Sequence, residues 1–180
     1  MGNRLSKIVT KTGDNGSTGL ASSQRVSKAE DIIDAIGTID ELNSSIGMVR
    51  SVCNNTELNA QLIQLQNNLF NCGGDLCLEG SVLISQQQIT SLEISLNTYN
   101  GQLQPLKNFI LPAGSELTVR IHMARSICRR AERILVKTSQ NYEFNPLLLV
   151  FINRLSDWLF VIARVTDETE EILWNPHSHC

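Results

Sequence analysis

The sequence predicts an all-α protein, a bundle of about five helices that follows an ordered N-terminal loop. Apolar residues recur at alternating spacings of three and four in five segments, the period of a helix that buries one face. Strand-like alternation is almost absent, and the only β candidates are short pieces within residues 7–28. A chain of 180 residues, 42% hydrophobic and 18% charged, suits one domain with a real core. We therefore treat residues 1–180 as one domain, with an N-terminal segment 1–28, a helical bundle 29–173 and a tail 174–180.

The first two helices follow a segment, residues 7–28, that is rich in Gly, Ser, Thr and Lys and has no hydrophobic period. We expect that segment to be an ordered loop. The first helix has core positions at Ile32, Ala35, Ile39, Leu42, Ile46, Val49 and Cys53. Thr56 is a plausible N-cap of the second helix, and Gly73-Gly74 either bends or ends it. The second helix has core positions at Leu58, Leu62, Leu65, Leu69, Cys72 and Leu76.

Three further helices are separated by loops marked by glycine and proline. The third is shorter, with core positions at Ile89, Leu92, Leu96 and Tyr99. Residues 100–114 then form a loop, and Ser115 caps the fourth helix. The fourth helix has core positions at Leu117, Ile121, Ala124, Cys128, Ala131 and Leu135. Asn145-Pro146 opens the fifth as N-cap and first-turn proline. The core side of the fifth includes Leu148, Phe151, Leu155, Leu159 and Ile162.

Composition argues against several classes of protein. A net charge of −3 gives no broad basic surface, so nucleic acid is not an expected partner. The longest apolar stretch, residues 147–165, is interrupted by charged residues, so no membrane span is expected. The first residues lack the apolar stretch of a secretory signal. Five cysteines without a Cys-x-x-Cys motif are typical of a reduced, cytoplasmic protein.

Polar residues form a second stripe beside the core stripe on three of the helices. The stripe of the first helix comprises Ile33, Gly37, Asp40, Ser44 and Gly47, which are mostly small residues with one carboxylate. The stripe of the fourth concentrates arginine and comprises His122, Arg125, Arg129, Glu132 and Arg133. The stripe of the fifth comprises Asn153, Asp157, Phe160 and Arg164. Such stripes are usually solvated faces, but an arginine cluster also binds polyphosphates through its fork of donors. Both interpretations stay open at this point.

The N-terminal loop contains the run Thr10-Lys11-Thr12-Gly13-Asp14-Asn15-Gly16-Ser17-Thr18. Its glycines allow backbone N–H groups to turn toward one anion, and its hydroxyls add donors. The run is not a Walker A loop, because no Gly-Lys-Ser/Thr stands at the required spacing. Taken alone, it is weak support for a phosphate site.

Six segments, in order, resemble the PduO-type ATP:corrinoid adenosyltransferases. They are Thr10-Lys11-Thr12-Gly13-Asp14-x-Gly16-x-Thr18, Arg25-Val26-x-Lys28, Gly37-Thr38-Ile39-Asp40-Glu41-Leu42-Asn43-Ser44, Phe109-Ile110-Leu111-Pro112, Ala124-Arg125-x-x-Cys128-Arg129-Arg130-Ala131-Glu132-Arg133 and Asn153-Arg154-Leu155-Ser156-Asp157-x-Leu159-Phe160. Two positions depart from the family pattern. Ile32 stands where an arginine is common, and Ala113 replaces the first glycine of the usual Leu-Pro-Gly-Gly.

The resemblance implies a five-helix homotrimer with active sites between its subunits. It implies an ATP site built from Thr10, Lys11, Thr12, Gly13, Asp14, Gly16, Ser17, Thr18, Lys28, Arg129, Arg130, Glu132, Arg133 and Asn153. Asp40 would pair with Arg125 of a neighbouring subunit, and Phe109 would lie beside the corrin ring. These three residues and Arg129 are the implied catalytic residues.

The implied substrates are ATP with Mg²⁺ and a cobalamin or related corrinoid. A Co(I) centre is itself the nucleophile, so the protein has to align two large ligands and stabilise the departing triphosphate. Lys28, Arg129, Arg133 and an Mg²⁺ ion held by the phosphates fit that task, and no metal ligands are assigned to the protein. Phe109 would cover the lower face of cobalt and ease its reduction, although a phenylalanine in a loop is more often an anchor packed on the bundle.

Three other functions remain as alternatives. An ATP-binding regulatory bundle without transfer chemistry would not need Phe109. A carboxylate-bridged di-metal bundle requires Glu-x-x-His pairs, and neither His122 nor His177 has a glutamate three residues before it. A structural adaptor leaves the loop and the arginines unexplained. A reductase or a corrinoid-accepting enzyme is a further expected partner, and the terminal His177, His179 and Cys180 receive no role.

Overall fold

The computed structural model describes residues 8–21, 24–167, 169 and 171–176. Five helices account for most of them: α1 (Asp31–Arg50), α2 (Thr56–Cys77), α3 (Gln86–Asn100), α4 (Glu116–Thr138) and α5 (Leu147–Val165). The predicted all-α bundle is confirmed. Of the predicted tail 174–180, residues 177–180 lie outside the described part.

A short β-hairpin precedes the helices. Strands β1 (Ser17–Gly19) and β2 (Arg25–Ser27) pair antiparallel, with Thr18 opposite Val26. The expected β-structure within residues 7–28 is therefore present, and it places the glycine-rich run directly before β1.

The helices lie side by side in the order α2, α1, α4, α5, α3, because α1 contacts both α2 and α4, α4 contacts α5, and α5 contacts α3. Their core stripes face inward as predicted, although Cys53, Leu96, Tyr99 and Leu117 are only partly buried. Trp158 and Phe151 of α5 are the largest fully buried side chains. Burying a side chain of this size contributes roughly 2–3 kcal/mol to folding, so the bundle is a firm support for residues on its polar faces.

The helix ends differ from prediction at three places. Helix α1 ends at Arg50, before the predicted core position Cys53. Asn55, not Thr56, caps α2, because its Oδ1 accepts a hydrogen bond from the N–H of Leu58 at 2.9 Å. The regular part of α5 begins after Pro146, but the Asn145 side chain still accepts from the N–H of Leu147 at 3.1 Å, as a cap does. Ser115 caps α4 as predicted.

The connection between α2 and α3 is held by a buried carboxylate that the sequence did not indicate. Asp75, 2% exposed, accepts hydrogen bonds from four donors: Ser81 Oγ, the N–H groups of Leu83 and Ile84, and Asn145 Nδ2, at 2.7–3.0 Å. Since Asp75 lies in the last turn of α2, this network ties the end of α2 to the start of α5. Gly73-Gly74 neither ends α2 nor interrupts it, because the helix runs on to Cys77.

Across the described ranges, no helix is both long and apolar enough to cross a membrane.

Candidate functional site

The N-terminal loop is shaped by an arginine of strand β2. One Nη of Arg25 donates to the carbonyl of Thr12 and to Ser17 Oγ, both at 2.6 Å. Ser17 Oγ in turn donates to Asn15 Oδ1 at 2.7 Å. Arg25 therefore holds the loop together through its hydrogen bonds to Thr12 and Ser17. Most residues of the predicted run 10–18 remain exposed.

Lys28 reaches back over this loop. Its N–H donates to the carbonyl of Gly16 at 2.8 Å, and its Nζ approaches Gly13 so closely that a Cβ at Gly13 would lie 3.1 Å from it. A side chain at residue 13 would therefore compete with the ammonium group. The result is a positive charge held against exposed backbone and hydroxyl groups, an arrangement suited to a phosphate.

The arginines of α4 form an exposed cationic face. Arg129 and Arg133 are exposed, and Arg133 donates to the backbone carbonyl of Arg129 at 3.1 Å. In the part of the chain that the structure describes, neither guanidinium takes part in an ion pair. Arg130 differs, because it pairs with Glu41 and joins α4 to α1.

A polar bridge connects α4 to α5 beside this face. Asn153 Nδ2 donates to Glu132 Oε1 at 2.8 Å, and Arg154 donates to Asn153 Oδ1 at 2.9 Å. The two predicted residues Glu132 and Asn153 are thus brought together, and their amide and carboxylate are fixed in one orientation next to Arg129.

Arg125 lies deeper in the same face. Its guanidinium carbon sits 5.0 Å from the ring centre of Phe160, a cation–π contact, and its Nε is buried without a hydrogen-bond partner. Burial lowers the pKa of Arg125, nearby Arg129 lowers it further, and Asp157 opposes both effects. A second carboxylate placed beside Arg125 would therefore be strongly favoured.

Asp40 does not supply that carboxylate within the chain. It is exposed on α1, at the edge of a groove between α1 and α2 that is also lined by Gly37, Phe70 and Gly73. Within the described residues, neither a hydrogen bond nor an ion pair joins Asp40 to Arg125. The predicted pair is left apart in a single subunit.

Phe109 is 76% exposed and projects from the loop before α4. Its ring is edge-on to Trp174, with 6.3 Å between the ring centres. The backbone of Trp174 donates to the carbonyl of Phe109 at 2.7 Å. Within the single chain the ring of Phe109 is therefore exposed and not packed on the bundle. The sequence did not indicate Trp174, because one tryptophan in a short C-terminal segment has no periodic signal.

A small cavity lies behind the Phe109 loop. It is lined by His122, Gly114, Arg164, Asp167 and Glu171 among others, and the Nδ1 of buried His122 has no hydrogen-bond partner. Burial and nearby Arg125 lower the pKa of His122 while Asp167 opposes them, so His122 is neutral at neutral pH. His122 belongs to the support of the loop and not to its exposed surface.

The two departures from the family pattern fall at places the fold tolerates. Ile32 is 3% exposed and belongs to the core of α1. Gly114 has φ of +119° and a Cβ there would lie 2.5 Å from Asp167 Oδ2, whereas Ala113 does not have a positive φ. The glycine is retained at the position that requires it.

The single chain thus contains two separate groups of predicted residues. One is the loop 10–18 with Lys28, and the other is the face formed by α4 and α5. No hydrogen bond or ion pair between described residues joins residues 10–28 to the arginines of α4. The described residues also contain no group of three or more His, Cys, Asp or Glu side chains placed to hold a metal ion.

Comparison with known proteins gives the same family from sequence and from structure. Residues 8–166 match the family model described as cobalamin adenosyltransferase. A cobalamin adenosyltransferase of Cupriavidus metallidurans is 44% identical over 178 residues, 97% of each chain. A corrinoid adenosyltransferase of Bacillus subtilis is 39% identical over 168 residues, 89% of this chain and 86% of that protein.

Solved structures agree with these sequence matches. A variant of the PduO-type ATP:corrinoid adenosyltransferase from Lactobacillus reuteri, complexed with cobalamin and ATP, superposes with a TM-score of 0.89 at 35% identity, covering 94% of this chain and 97% of that one. Another variant of the same protein, complexed with ATP, also gives 0.89 at 35% identity, with coverage of 93% and 100%. The chain therefore belongs to the cobalamin adenosyltransferase family.

Proposed function

We propose that the protein transfers the 5′-deoxyadenosyl group of ATP to the cobalt of cob(I)alamin or a related corrinoid and releases triphosphate. The family match across residues 8–166 carries this conclusion. The exposed arginine face of α4 and the exposed Phe109 are what such an enzyme needs, a site for polyphosphate and an apolar surface for a flat macrocycle.

ATP occupies the N-terminal loop and the α4–α5 face together. The loop residues Thr10, Lys11, Thr12, Gly13, Asp14, Gly16, Ser17 and Thr18 contact the phosphates with Lys28. Arg129 and Arg133, which are free of ion pairs in the described chain, neutralise the triphosphate, and Mg²⁺ arrives with the nucleotide. Glu132 and Asn153, already bonded to each other, orient the nucleoside. Arg130 supports the site through its contact with Glu41.

The site is completed between subunits of a homotrimer. Among the described residues, partly buried Arg125 forms no ion pair although Asp157 lies near it, and exposed Asp40 forms no ion pair either. Pairing Asp40 of one subunit with Arg125 of the next satisfies both, and it brings the loop before α1 to the arginine face of a neighbouring α4. This explains why the two groups of residues do not meet in one chain.

The reaction places little covalent chemistry on the protein. The electron pair of Co(I) forms the bond to the ribose 5′ carbon, and the electrons of the broken C–O bond leave with the triphosphate. Arg129 and Lys28 stabilise the charge that develops on the leaving group. Phe109, with Trp174 beside it, covers the lower face of cobalt, so that water or a base cannot coordinate there before reduction.

The alternative, an ATP-binding regulatory bundle, is less favoured. It gives no reason for an aromatic side chain that is 76% exposed on a loop held by backbone hydrogen bonds.

We place the enzyme in the cytoplasm, where the four described cysteines, Cys53, Cys72, Cys77 and Cys128, remain free thiols. A reductase that delivers the electron, or an enzyme that accepts the product, is its expected protein partner.

A direct assay tests the proposal. Protein, Mg·ATP and chemically reduced cobalamin are mixed anaerobically, and the light-sensitive Co–C product is followed by absorbance. We expect product and triphosphate in equal amounts, and no product when ATP is omitted. ATP binding without any product would leave the regulatory alternative standing and would refute the transfer function.

A further inference from the structure

The segment that follows α5 turns back and lies along the Phe109 loop. Leu111 donates its N–H to the carbonyl of Ile172 at 2.8 Å, and Trp174 donates to the carbonyl of Phe109 at 2.7 Å. Asn108 Nδ2 donates to the carbonyl of Trp174 at 2.8 Å. Residues 171–174, which we call the strap, therefore form a short β-bridge with the segment that carries Phe109.

One arginine of α5 fastens the strap. The side chain of Arg164 is 8% exposed, and its Nε donates to Glu171 Oε1 at 2.6 Å. Its Nη2 donates to the carbonyl of Gln104 at 3.0 Å and lies 3.4 Å from Glu171 Oε2. A single guanidinium thus joins the first residue of the strap to the loop that leads into Phe109.

A second contact fixes the other end of the same loop. The carboxylate of Asp167 lies against Gly114, and its Oδ1 accepts from both the N–H and the hydroxyl of Thr169. Arg164 at the end of α5 and Asp167 just after α5 therefore touch the loop on both sides of Phe109, before it at Gln104 and after it at Gly114.

Phe109 has little other support. Its side chain is 76% exposed, and residues 101–114 contain no helix and no strand. A side chain in such a segment keeps one position only if its neighbours hold the backbone. The strap supplies those neighbours through three hydrogen bonds, and the partly buried Arg164–Glu171 pair joins the strap to α5.

We infer that Arg164 and Glu171 are positioning residues for Phe109, because their ion pair holds the strap against the loop and thereby sets where the phenylalanine ring meets the corrinoid. This inference rests on the proposed function only in taking Phe109 as the residue that faces cobalt.

The test has one readout that needs no activity. Of the two tryptophans, Trp158 is buried in α5 and Trp174 is 46% exposed in the strap, so quenching of fluorescence by acrylamide reports mainly on Trp174. Glu171→Ala removes the partner of Arg164 and should increase quenching, and Glu171→Gln, which keeps one acceptor oxygen, should give an intermediate value. Glu116→Ala is the matched control, because it breaks an exposed Arg–Glu pair whose arginine, Arg120, bonds the end of α1 at Met48 and Ser51 and not the strap.

The second readout is turnover. Glu171→Ala should lower turnover from cob(II)alamin with a reductant about 10- to 100-fold, the usual effect of a displaced reacting group. It should lower turnover from pre-reduced cob(I)alamin much less and leave the KM for ATP unchanged. Glu116→Ala should match the wild type in both assays.

Each outcome decides the inference. Unchanged acrylamide quenching in Glu171→Ala refutes the inference. Increased quenching also refutes it if Glu171→Ala loses turnover equally in the two assays, or loses it in neither. If Glu171→Ala does not fold, Glu171→Gln is judged by the same criteria. If the wild type itself makes no adenosyl product, the proposed function fails and the positioning role fails with it. The quenching experiment still decides whether the Arg164–Glu171 ion pair holds the strap in place.

Discussion

At the scale of residues, Arg129 is the side chain that the proposed mechanism places against the leaving group. It is exposed, it is free of ion pairs within the described chain, and its backbone is held by Arg133. Removing such a group therefore costs the fold little and the reaction much.

We expect Arg129→Ala to lower turnover by two orders of magnitude or more, since losing one charged transition-state contact costs about 3 kcal/mol. Arg129→Lys should also be poor, because an ammonium cannot make the paired contacts of a guanidinium. Steady-state kinetics with circular dichroism checks this, with Lys137→Ala as a control that removes an exposed cation of the same helix. A folded Arg129→Ala with near-normal turnover would contradict the assignment.

In the proposed mechanism Phe109 acts through its apolar bulk and not through hydrogen bonding, so we expect the activity of its variants to depend on the size and polarity of the new side chain. Phe109→Trp should keep some activity, whereas Phe109→Ala and Phe109→His should lose most of it when the substrate is cob(II)alamin with a reductant. Water or imidazole then reaches cobalt and hinders reduction. Pre-reduced cob(I)alamin should restore part of the rate, and the affinity for ATP should barely change. Equal losses from both corrinoid substrates would mean that Phe109 only shapes the pocket.

At the scale of elements, the core positions of the helices could be predicted from the sequence, because burial of one helix face gives a regular spacing of apolar residues. The strap did not, since four residues paired with a loop 60 positions away have no local pattern. The cap at Asn55 was missed for a similar reason: asparagine and threonine are both good caps, and only the hydrogen bond to Leu58 tells them apart.

Asp75 governs how the connection between α2 and α3 responds to acid. Burial alone raises its pKa, but hydrogen bonds from Leu83, Asn145, Ile84 and Ser81 outweigh burial, and the pKa lies below its usual value. A lowered pKa in the folded state means that the carboxylate stabilises the fold above the unfolded-state pKa of about 4. That contribution is lost as pH falls through the lower, folded-state pKa.

We expect Asp75→Asn to lower the free energy of unfolding by about 3 kcal/mol at pH 7, because an amide cannot accept from all four donors. The difference from the wild type should shrink as the pH falls below about 4. Thermal unfolding over a pH series measures it, and Glu79→Gln, an exposed carboxylate on the same connection, is the control. A difference that stays constant with pH would show that Asp75 is not the titrating group.

At the scale of the whole molecule, motifs in the sequence indicated candidate site residues, and only the resemblance to the family implied that two subunits share the site. The loop 10–18 and the arginines of α4 carry recognisable motifs, yet the described chain keeps Asp40 and Arg125 apart. Contacts between subunits give no regular spacing of residues in a sequence, so the homotrimer and the extent of the single domain remain predictions.

Mixing two inactive variants tests whether the site spans two subunits. Asp40→Asn and Arg125→Ala should each lose most activity, because each leaves a charged partner unpaired. If Asp40 of one subunit meets Arg125 of the next, an interface between an Arg125→Ala chain and an Asp40→Asn chain can combine the two native residues. Co-expression at equal amounts should then restore about a quarter of the sites, since one in four ordered pairings has both residues intact.

The matched control places both substitutions in one chain and co-expresses it with a chain that carries Asp40→Asn alone. No pairing of these two chains supplies a native Asp40, so no activity should return. Sedimentation of the purified mixtures establishes that trimers have formed in both cases. Recovery in the first mixture and not in the second requires a site shared between subunits, because a site contained in one chain gives no recovery in either. A fully active monomer, or trimers of the first mixture that stay inactive, would show that Asp40 and Arg125 do not act across a subunit boundary.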